Sequence, residues 1–309
     1  MELLRNIKLS DYSNFRIGGP ADYFVLAKSI EDLVEALEFG RKNGFDIYIL
    51  GSGTNILWSD NGFRGLVLKP ELKAIEFGGR VSRAAAGVLM KDLVGAAVSR
   101  GLSGLEWASG LPGSFGGAIF GNAGAFGGEI KDLIIEVISL DRDSLRIIKR
   151  RGEDCAFSYR SSIFKLNAGK EIILEAALKL TPGDKRSLYE AAEARMNYRK
   201  ERHPLEYPNI GSIFKNVSVN QIHPDNPVLK VAPIKVDPFP VVPTAYLISE
   251  AGLRGIGCEG AMISPKHPNF IVNVLRASAS DVLSLISLVK NEIKDKFDIK
   301  LEEEVRIIT

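Results

Sequence analysis

Residues 110–128 read GLPGSFGGAIFGNAGAFGG, with glycine at 110, 113, 116, 117, 121, 124, 127 and 128. An interior glycine loses more chain entropy on folding than any other residue, so a run this dense costs free energy at each position. That cost is met where the backbone must turn left-handed, or where something must come closer than a Cβ allows. Phe115, Ile119, Phe120 and Phe126 separate the run from a flexible linker, which would be polar and rich in serine. Two readings remain: tight helix–sheet packing, or a surface moulded to a ligand.

A second small-residue loop favours the ligand. GSGTN (51–55) follows the strand-like DIYIL (46–50), and consecutive main-chain N–H groups in such a turn form a concave nest for an anion such as a pyrophosphate. The loop lacks the third glycine of the Rossmann fingerprint, and no clear helix follows it. The chain has no GxxxxGK[ST] either, which excludes a P-loop nucleotidase. Alone, GSGTN is equally a plain tight turn. Paired with the glycine run, where Ala118, Ala123 and Ala125 keep the surface low and Asn122 offers a donor and an acceptor, it suits one extended dinucleotide.

The rest of the chain bounds the setting. At 309 residues, with 45% hydrophobic and 25% charged residues, it suits a globular protein of two or three modest domains. A net charge of +2 predicts no sequence-blind attraction to nucleic acid or membrane. Cys155 and Cys258 lack metal-ligand spacing, and with only His203, His223 and His267 beside them no metal site is expected. The charged start MELLRNIKLSDYS has no apolar signal core and no stretch has the length of a membrane span, so a cytoplasmic protein is expected.

Strand and helix signals alternate along the chain. DYFVLA (22–27) reads as a strand and IEDLVEALEFGRKNG (30–44) as a helix stopped by Gly44. Helical spacing recurs in 90–101, 187–204, 243–252 and 278–297, and strand signals in 134–141, 171–180 and 301–308. A boundary falls near TPGDKRS (181–187), and prolines between 224 and 243 mark an ordered irregular loop.

Seven motifs then occur in a fixed order: NFRIGGPA (14–21), LGSGTN (50–55), GLEWASGLPGSFGGAIFGNAGAFGGE (104–129), FSYRSSIFK (157–165), GSIFKN (211–216), AGLRG (251–255) and LEEEVR (301–306). Together they resemble the UDP-N-acetylenolpyruvoylglucosamine reductase family, flavoenzymes of bacterial cell-wall precursor synthesis. The resemblance covers nearly the whole chain, and its specificity lies in the ordered set. It implies an α+β protein with a two-lobed FAD-binding domain of the vanillyl-alcohol-oxidase type at 1–198 (lobes about 1–72 and 73–198). A separate α+β substrate-binding domain is implied at 199–309. It also implies noncovalent FAD, NADPH as co-substrate, small-molecule substrates only, and a monomer. The cofactor would meet Gly51, Ser52, Gly53, Thr54 and Asn55 in the first loop. In the second it would meet Ser109, Gly110, Pro112, Gly113, Gly116, Gly117, Ala118, Asn122, Ala123 and Gly124.

The implied reaction reduces an enolpyruvyl ether to a lactyl ether. Hydride addition at C3 leaves an enolate-like charge spread into the carboxylate, which asks for a cation beside it and a proton at C2. Arg160 in FSYRSSIFK is implied at the enolate, where its planar fork matches a carboxylate in a way lysine cannot. Ser212 in GSIFKN is implied as the proton donor. Glu304 in LEEEVR is implied as the catalytic glutamate, and beside an enolate it must carry a proton or act through a donor. Glu302 or Glu303 is expected on a solvated edge. Arg202, Lys215, Asn216, Lys266 and His267 are the candidate substrate-binding residues, with Arg202 and Lys215 expected at the diphosphate, Asn216 hydrogen-bonding the nucleotide, and Lys266 or His267 closing the same site.

The chain departs from the family after GSIFKN, where residues 217–243 replace a short proline turn. There is no evident room between Arg160 and Met196 for the extra tyrosine-bearing loop of longer members, so the shorter subclass is expected, with 217–243 as a substitute cover. Two rival readings fit less well. A sugar or alcohol oxidase of the same fold often tethers its flavin to an early histidine, and none precedes His203. A non-catalytic nucleotide-binding protein would have no use for Arg160, Ser212 and Glu304 together.

Overall fold

The computed structural model describes residues 1–79, 81–167, 169–236 and 238–308. Its mixture of helices and strands is the α+β class that the sequence implies. Asp237, inside the proline-rich stretch, lies outside the described residues. The chain forms two compact units, one of Met1–Ile7, Ala21–Ser52 and Arg64–Arg199, the other of Lys8–Pro20, Gly53–Phe63 and Lys200–Thr309. GSGTN thus begins in the first unit and ends in the second. No described helix is long and apolar enough to cross a membrane.

Among its described residues, the first unit holds two larger sheets beside two short two-stranded ones. Strands Leu3–Lys8, Pro20–Ala27, Phe63–Pro70 and Ile47–Ile49 lie in that order, the last pair parallel. Helix Ile30–Lys42 buries Leu33, Ala36 and Leu37 against Val25, Ala27, Leu66 and Leu68. Its start is fixed by Ser29, whose hydroxyl accepts the Asp32 N–H at 3.1 Å, a cap worth about 1 kcal/mol. The second sheet is antiparallel, in the order Ile147–Arg151, Ile134–Asp141, Glu171–Lys179, Val81–Ala85 and Ile75–Gly78. Leu140, Ile172 and Leu174 of this sheet join the core under helix Ile30–Lys42, so the two lobes share apolar packing. Helix Met90–Ser99 buries Leu93, Val94 and Ala97 in a second core with Val137, Ala176 and Leu178.

The second unit is built around helix Ala279–Phe297, whose Val282, Leu285, Ile286, Val289 and Ile293 are buried in one core with Ala261, Ile263 and Ile271. Those last residues belong to a sheet of Gly257–Cys258, Ala261–Ile263 and Ile271–Asn273. Ser278 and Asp281 form a capping box at the helix start. Asp60 adds its two carboxylate oxygens to the Ala279 and Ser280 N–H groups, at 2.8 and 3.2 Å. The strand expected over 301–308 forms only at Arg306–Ile308, which pairs in parallel with Ile56–Trp58. The residues before it turn their main chain to residues 213–215 instead.

Residues 217–242 fold back on themselves: Val217–Ser218 pairs with Val241–Val242, Val228–Val231 is a short helix, and Lys235 bridges to Val241. Val217, Ile222, Val228 and Val242 anchor this excursion in the core.

Gly53 shows how tightly the second unit closes. Its φ is +66°, and a Cβ there would stand 1.9 Å from the Tyr12 carbonyl oxygen. Gly252 is also left-handed, at φ +78°, but a Cβ there would meet nothing within 4 Å among the described residues beyond its chain neighbours. The two positions therefore separate backbone strain from collision. In denaturant unfolding, Gly252→Ala is expected to cost about 1–2 kcal/mol of left-handed strain, and Gly53→Ala about 3 kcal/mol or more. Equal losses would show that the Tyr12 contact yields freely.

Candidate active site

The glycine run forms a helix, Phe115–Phe120, started by Ser114, whose hydroxyl accepts the Gly117 N–H at 3.3 Å. Several of its glycines answer to protein packing. A Cβ on Gly116 would lie 2.7 Å from that of Ala86, and one on Gly128 would lie 2.4 Å from the Trp107 ring. Gly110 and Gly124 face Arg199 and Glu129 in the same way, at 2.9 and 2.8 Å. Gly51 and Gly117 differ. Among the described residues, setting aside chain neighbours and the helix backbone, a Cβ on either would meet only the Ser114 hydroxyl, at 3.0 and 3.3 Å.

This surface fits an FAD. Gly51 and Gly117 leave main chain bare, and the Ser109 hydroxyl is buried with no hydrogen-bond partner among the described residues. Behind it Arg199, 8% exposed, donates Nε–H to the Ser109 carbonyl at 2.9 Å, while its Nη2 has no partner among the described residues. Burial works against the Arg199 charge, and the Phe126 ring lies 5.2 Å from its guanidinium carbon. A buried hydroxyl and a buried guanidinium nitrogen without partners among the described residues, together with bare backbone at Gly51 and Gly117, suit an anionic, extended cofactor. Gly113 takes φ +119° and its carbonyl accepts the Met90 N–H at 2.9 Å, while Pro112 is exposed and the Ala123 N–H donates to the Ala118 carbonyl at 2.8 Å.

Asn122 carries a different task from the one its position suggests. It is 0% exposed, its amide donates to the Ser158 carbonyl at 2.9 Å, and its oxygen accepts the Lys131 N–H at 3.1 Å. Ser158 and Ser161 close a two-residue turn by mutual main-chain hydrogen bonds of 3.1 and 3.0 Å, with Tyr159 and Arg160 at its tip. Arg160 sits there at φ +55°, a left-handed conformation that non-glycine residues seldom adopt. Its Nη2 donates to the Gly124 carbonyl at 3.1 Å. Lys165 donates to the Arg160 carbonyl at 2.9 Å, and Ser162 to that of Phe120 at 2.7 Å. The glycine run therefore aims Arg160, which sequence reasoning does not foresee.

Ser212 and Glu304 meet in the second unit through main chain. Ser212 bridges to Phe270, and the Ile213 N–H donates to the Asn269 carbonyl at 2.8 Å. On the opposite edge, the Glu304 N–H donates to the Ile213 carbonyl at 2.8 Å and the Lys215 N–H to the Glu302 carbonyl at 2.9 Å. The three glutamates separate by partner: Glu302 pairs with Lys215, and Glu303 with Lys290 at 2.8 Å. The Asn55 amide donates to the Glu304 carbonyl at 3.2 Å, and the Arg306 N–H returns to the Asn55 carbonyl at 3.1 Å. Thr54 and Asn55 thus stand in the unit that carries Glu304, and Ser52 in the other.

The remaining candidates are partly engaged. Lys215 holds Glu302, and the Asn216 oxygen accepts the Thr244 N–H at 3.2 Å. Thr244, fully buried, donates its hydroxyl to the Lys215 carbonyl at 2.5 Å. Lys266 donates to the Lys200 carbonyl at 2.8 Å and lies 3.6 Å from Glu206. Arg202 ends helix Lys185–Arg202. His267 packs its ring against His203 and Phe270, at 5.5 and 4.8 Å between centroids. Burial, then the charge of Lys235 and that of Arg254, pushes its pKa from 6.5 down to about 4. Thr244 and Asn269 carry no motif-level signal, because an isolated threonine or asparagine reads as a turn or cap residue.

Comparison with known proteins identifies relatives of both units. Residues 203–308 match the model of the UDP-N-acetylenolpyruvoylglucosamine reductase C-terminal domain, and residues 21–149 match that of an FAD binding domain. The UDP-N-acetylenolpyruvoylglucosamine reductase of Carboxydothermus hydrogenoformans is 39% identical, over 99% of this chain and 94% of its own. That of Clostridium tetani is 36% identical, over 98% of this chain and 91% of its own. The crystal structure of UDP-N-acetylenolpyruvylglucosamine reductase from Thermus caldophilus matches with a TM-score of 0.78 at 28% identity, covering 100% of this chain and 98% of that one. A relationship of this extent places both units in a single lineage: the chain belongs to the UDP-N-acetylenolpyruvoylglucosamine reductase family.

Proposed function

We propose that this chain reduces the enolpyruvyl ether of UDP-N-acetylglucosamine enolpyruvate to UDP-N-acetylmuramate in peptidoglycan precursor synthesis. FAD is its noncovalent resident cofactor and NADPH its hydride source. The observation that carries this reading is identity of 39% to a reductase of that name along 99% of the chain. When bound, FAD supplies the hydride chemistry, taking hydride from NADPH and passing it to C3 of the enolpyruvyl group. Gly51, Gly117 and Ser109 are the residues whose surroundings best suit holding it.

The protein's own part is to stabilise charge and deliver a proton. Arg160 would face the enolate and its carboxylate, a role supported by a turn that fixes its backbone before substrate arrives. Ser212 would give its hydroxyl proton to C2. Glu304 would stand by the enolate as a neutral or donor-linked carboxyl, a reading supported by its N–H bond to the Ile213 carbonyl, next to Ser212 in the chain. Arg202, Lys215 and Lys266 would serve the diphosphate, Lys215 and Lys266 by exchanging their present carboxylate partners for it. His267, kept neutral, would offer a hydrogen bond rather than a charge. We further assign FAD binding to 1–198 and substrate binding to 199–309, in a cytoplasmic monomer of the shorter subclass.

Purified protein is expected to be yellow and to release FAD on heating; folded protein that binds no FAD would contradict the proposal. In anaerobic stopped-flow, Ser212→Ala is expected to slow reoxidation of the reduced enzyme by the enolpyruvyl substrate about 10²–10⁴-fold, with NADPH bleaching changed no more than about two-fold. Equal loss in both half-reactions would remove Ser212 as proton donor. Glu304→Gln is expected to act on the same half-reaction, and unchanged turnover would remove Glu304. His267 gives a pH test of stability. The folded state resists its protonation, so the unfolded chain binds the extra proton between pH 6.5 and about 4. Stability present above pH 6.5 is thus lost on acidification through that window, by up to about 3 kcal/mol. His267→Gln should flatten this loss, and an unchanged slope would refute the assignment.

A further inference from the structure

We propose that Asn269 is a positioning residue for this reduction, its side-chain amide fixing the register of residues 212–215 and, through them, Ser212 and Glu304. The inference rests on the function proposed above. Asn269 is 3% exposed. Its Oδ1 accepts the Phe214 N–H at 3.0 Å, and its Nδ2 donates to the Phe214 carbonyl at 2.8 Å. One side chain thus supplies the donor and the acceptor that a paired strand would otherwise present.

A side chain is needed because the neighbouring main chain is spent. The Phe270 N–H goes to the His267 carbonyl and its own carbonyl accepts the Ser264 N–H, both at 2.9 Å. Beyond it, Ile271–Asn273 pairs with Ala261–Ile263. Among the described residues, no main-chain partner remains for Phe214 on that edge. Ile213 and Phe214 are each 1% exposed, so water does not replace the bonds.

The register matters on both edges of the strip. Ile213 spends its N–H on the Asn269 carbonyl and its carbonyl on the Glu304 N–H. A slip of one residue would turn every side chain of the strip to its other face, Ser212 included. The same slip would break the Glu304 contact. Asn269 acts on both groups from a distance, through Phe214 and Ile213.

The test uses Asn269→Asp, which is nearly isosteric. Ionised, it places an acceptor against the Phe214 carbonyl; protonated, its O–H restores the donor. Holoenzyme of wild type, Asn269→Asp and Asn269→Ser is followed by anaerobic stopped-flow across pH, each rate divided by wild type at the same pH. For Asn269→Asp, reoxidation by the enolpyruvyl substrate is expected to fall about 100-fold at neutral pH. It should recover as the carboxyl protonates, while reduction by NADPH stays near wild type throughout. Asn269→Ser, which cannot be rescued, is expected to stay slow at every pH. A pH-independent ratio for Asn269→Asp, or equal losses in both half-reactions for either variant, would overturn the proposal. If Asn269→Asp fails to hold flavin, Asn269→Ser decides by the same comparison of half-reactions. Wild type that is reduced by NADPH but not reoxidised by the substrate would instead overturn the functional reading, and this proposal with it.

Discussion

The unit that matches an FAD binding domain depends on the absence of one carbon atom. With no Cβ at Gly116, helix Phe115–Phe120 settles onto Ala86, and the Gly116 N–H reaches the Ala86 carbonyl at 2.8 Å. Everything downstream inherits that depth. Asn122 is buried because the helix is low, and once buried its amide must find partners, which it does in Ser158 and Lys131. The turn that carries Arg160 is therefore attached to the same backbone that lies bare at Gly117. Packing and ligand access are two results of one substitution pattern, since some glycines let protein in and others leave room.

The other unit works by a different constraint, the complete use of buried main-chain groups. Ile213 and Phe214 have no water to fall back on, and every N–H and C=O between 213 and 215 has a protein partner. Unmade bonds at such a site cost far more than made ones contribute. Rigidity around Ser212 follows from that asymmetry. It needs no large apolar contact at the serine itself.

Much of this was legible in residue order. Helical spacing located helices Ile30–Lys42 and Ala279–Phe297 closely, the first with its glycine stop, because amphipathic periodicity and a terminating glycine are local signals. The strand over 301–308 was only partly so: 301–305 alternate like a strand, yet their partners lie about ninety residues earlier, which no local pattern encodes. The three glutamates of LEEEVR look alike in sequence, yet Glu302 meets Lys215 and Glu303 meets Lys290. Asn122 reads naturally as a ligand contact until its 0% exposure is known. Ordered motifs identified the family. The jobs of single polar side chains depended on burial, which a sequence expresses only through the whole fold.

The excursion between Asn216 and Thr244 leaves and returns through one narrow gate. Val217–Ser218 pairs with Val241–Val242, and Thr244 bonds both Lys215 and Asn216. Since the two ends are already joined, lengthening the loop between them adds little closure entropy, about 0.6 kcal/mol for each doubling. Ser212 lies on the far side of that gate. A lineage can therefore rewrite the loop, in length and in charge, without disturbing the register beneath it, which makes this segment a natural place for relatives to diverge.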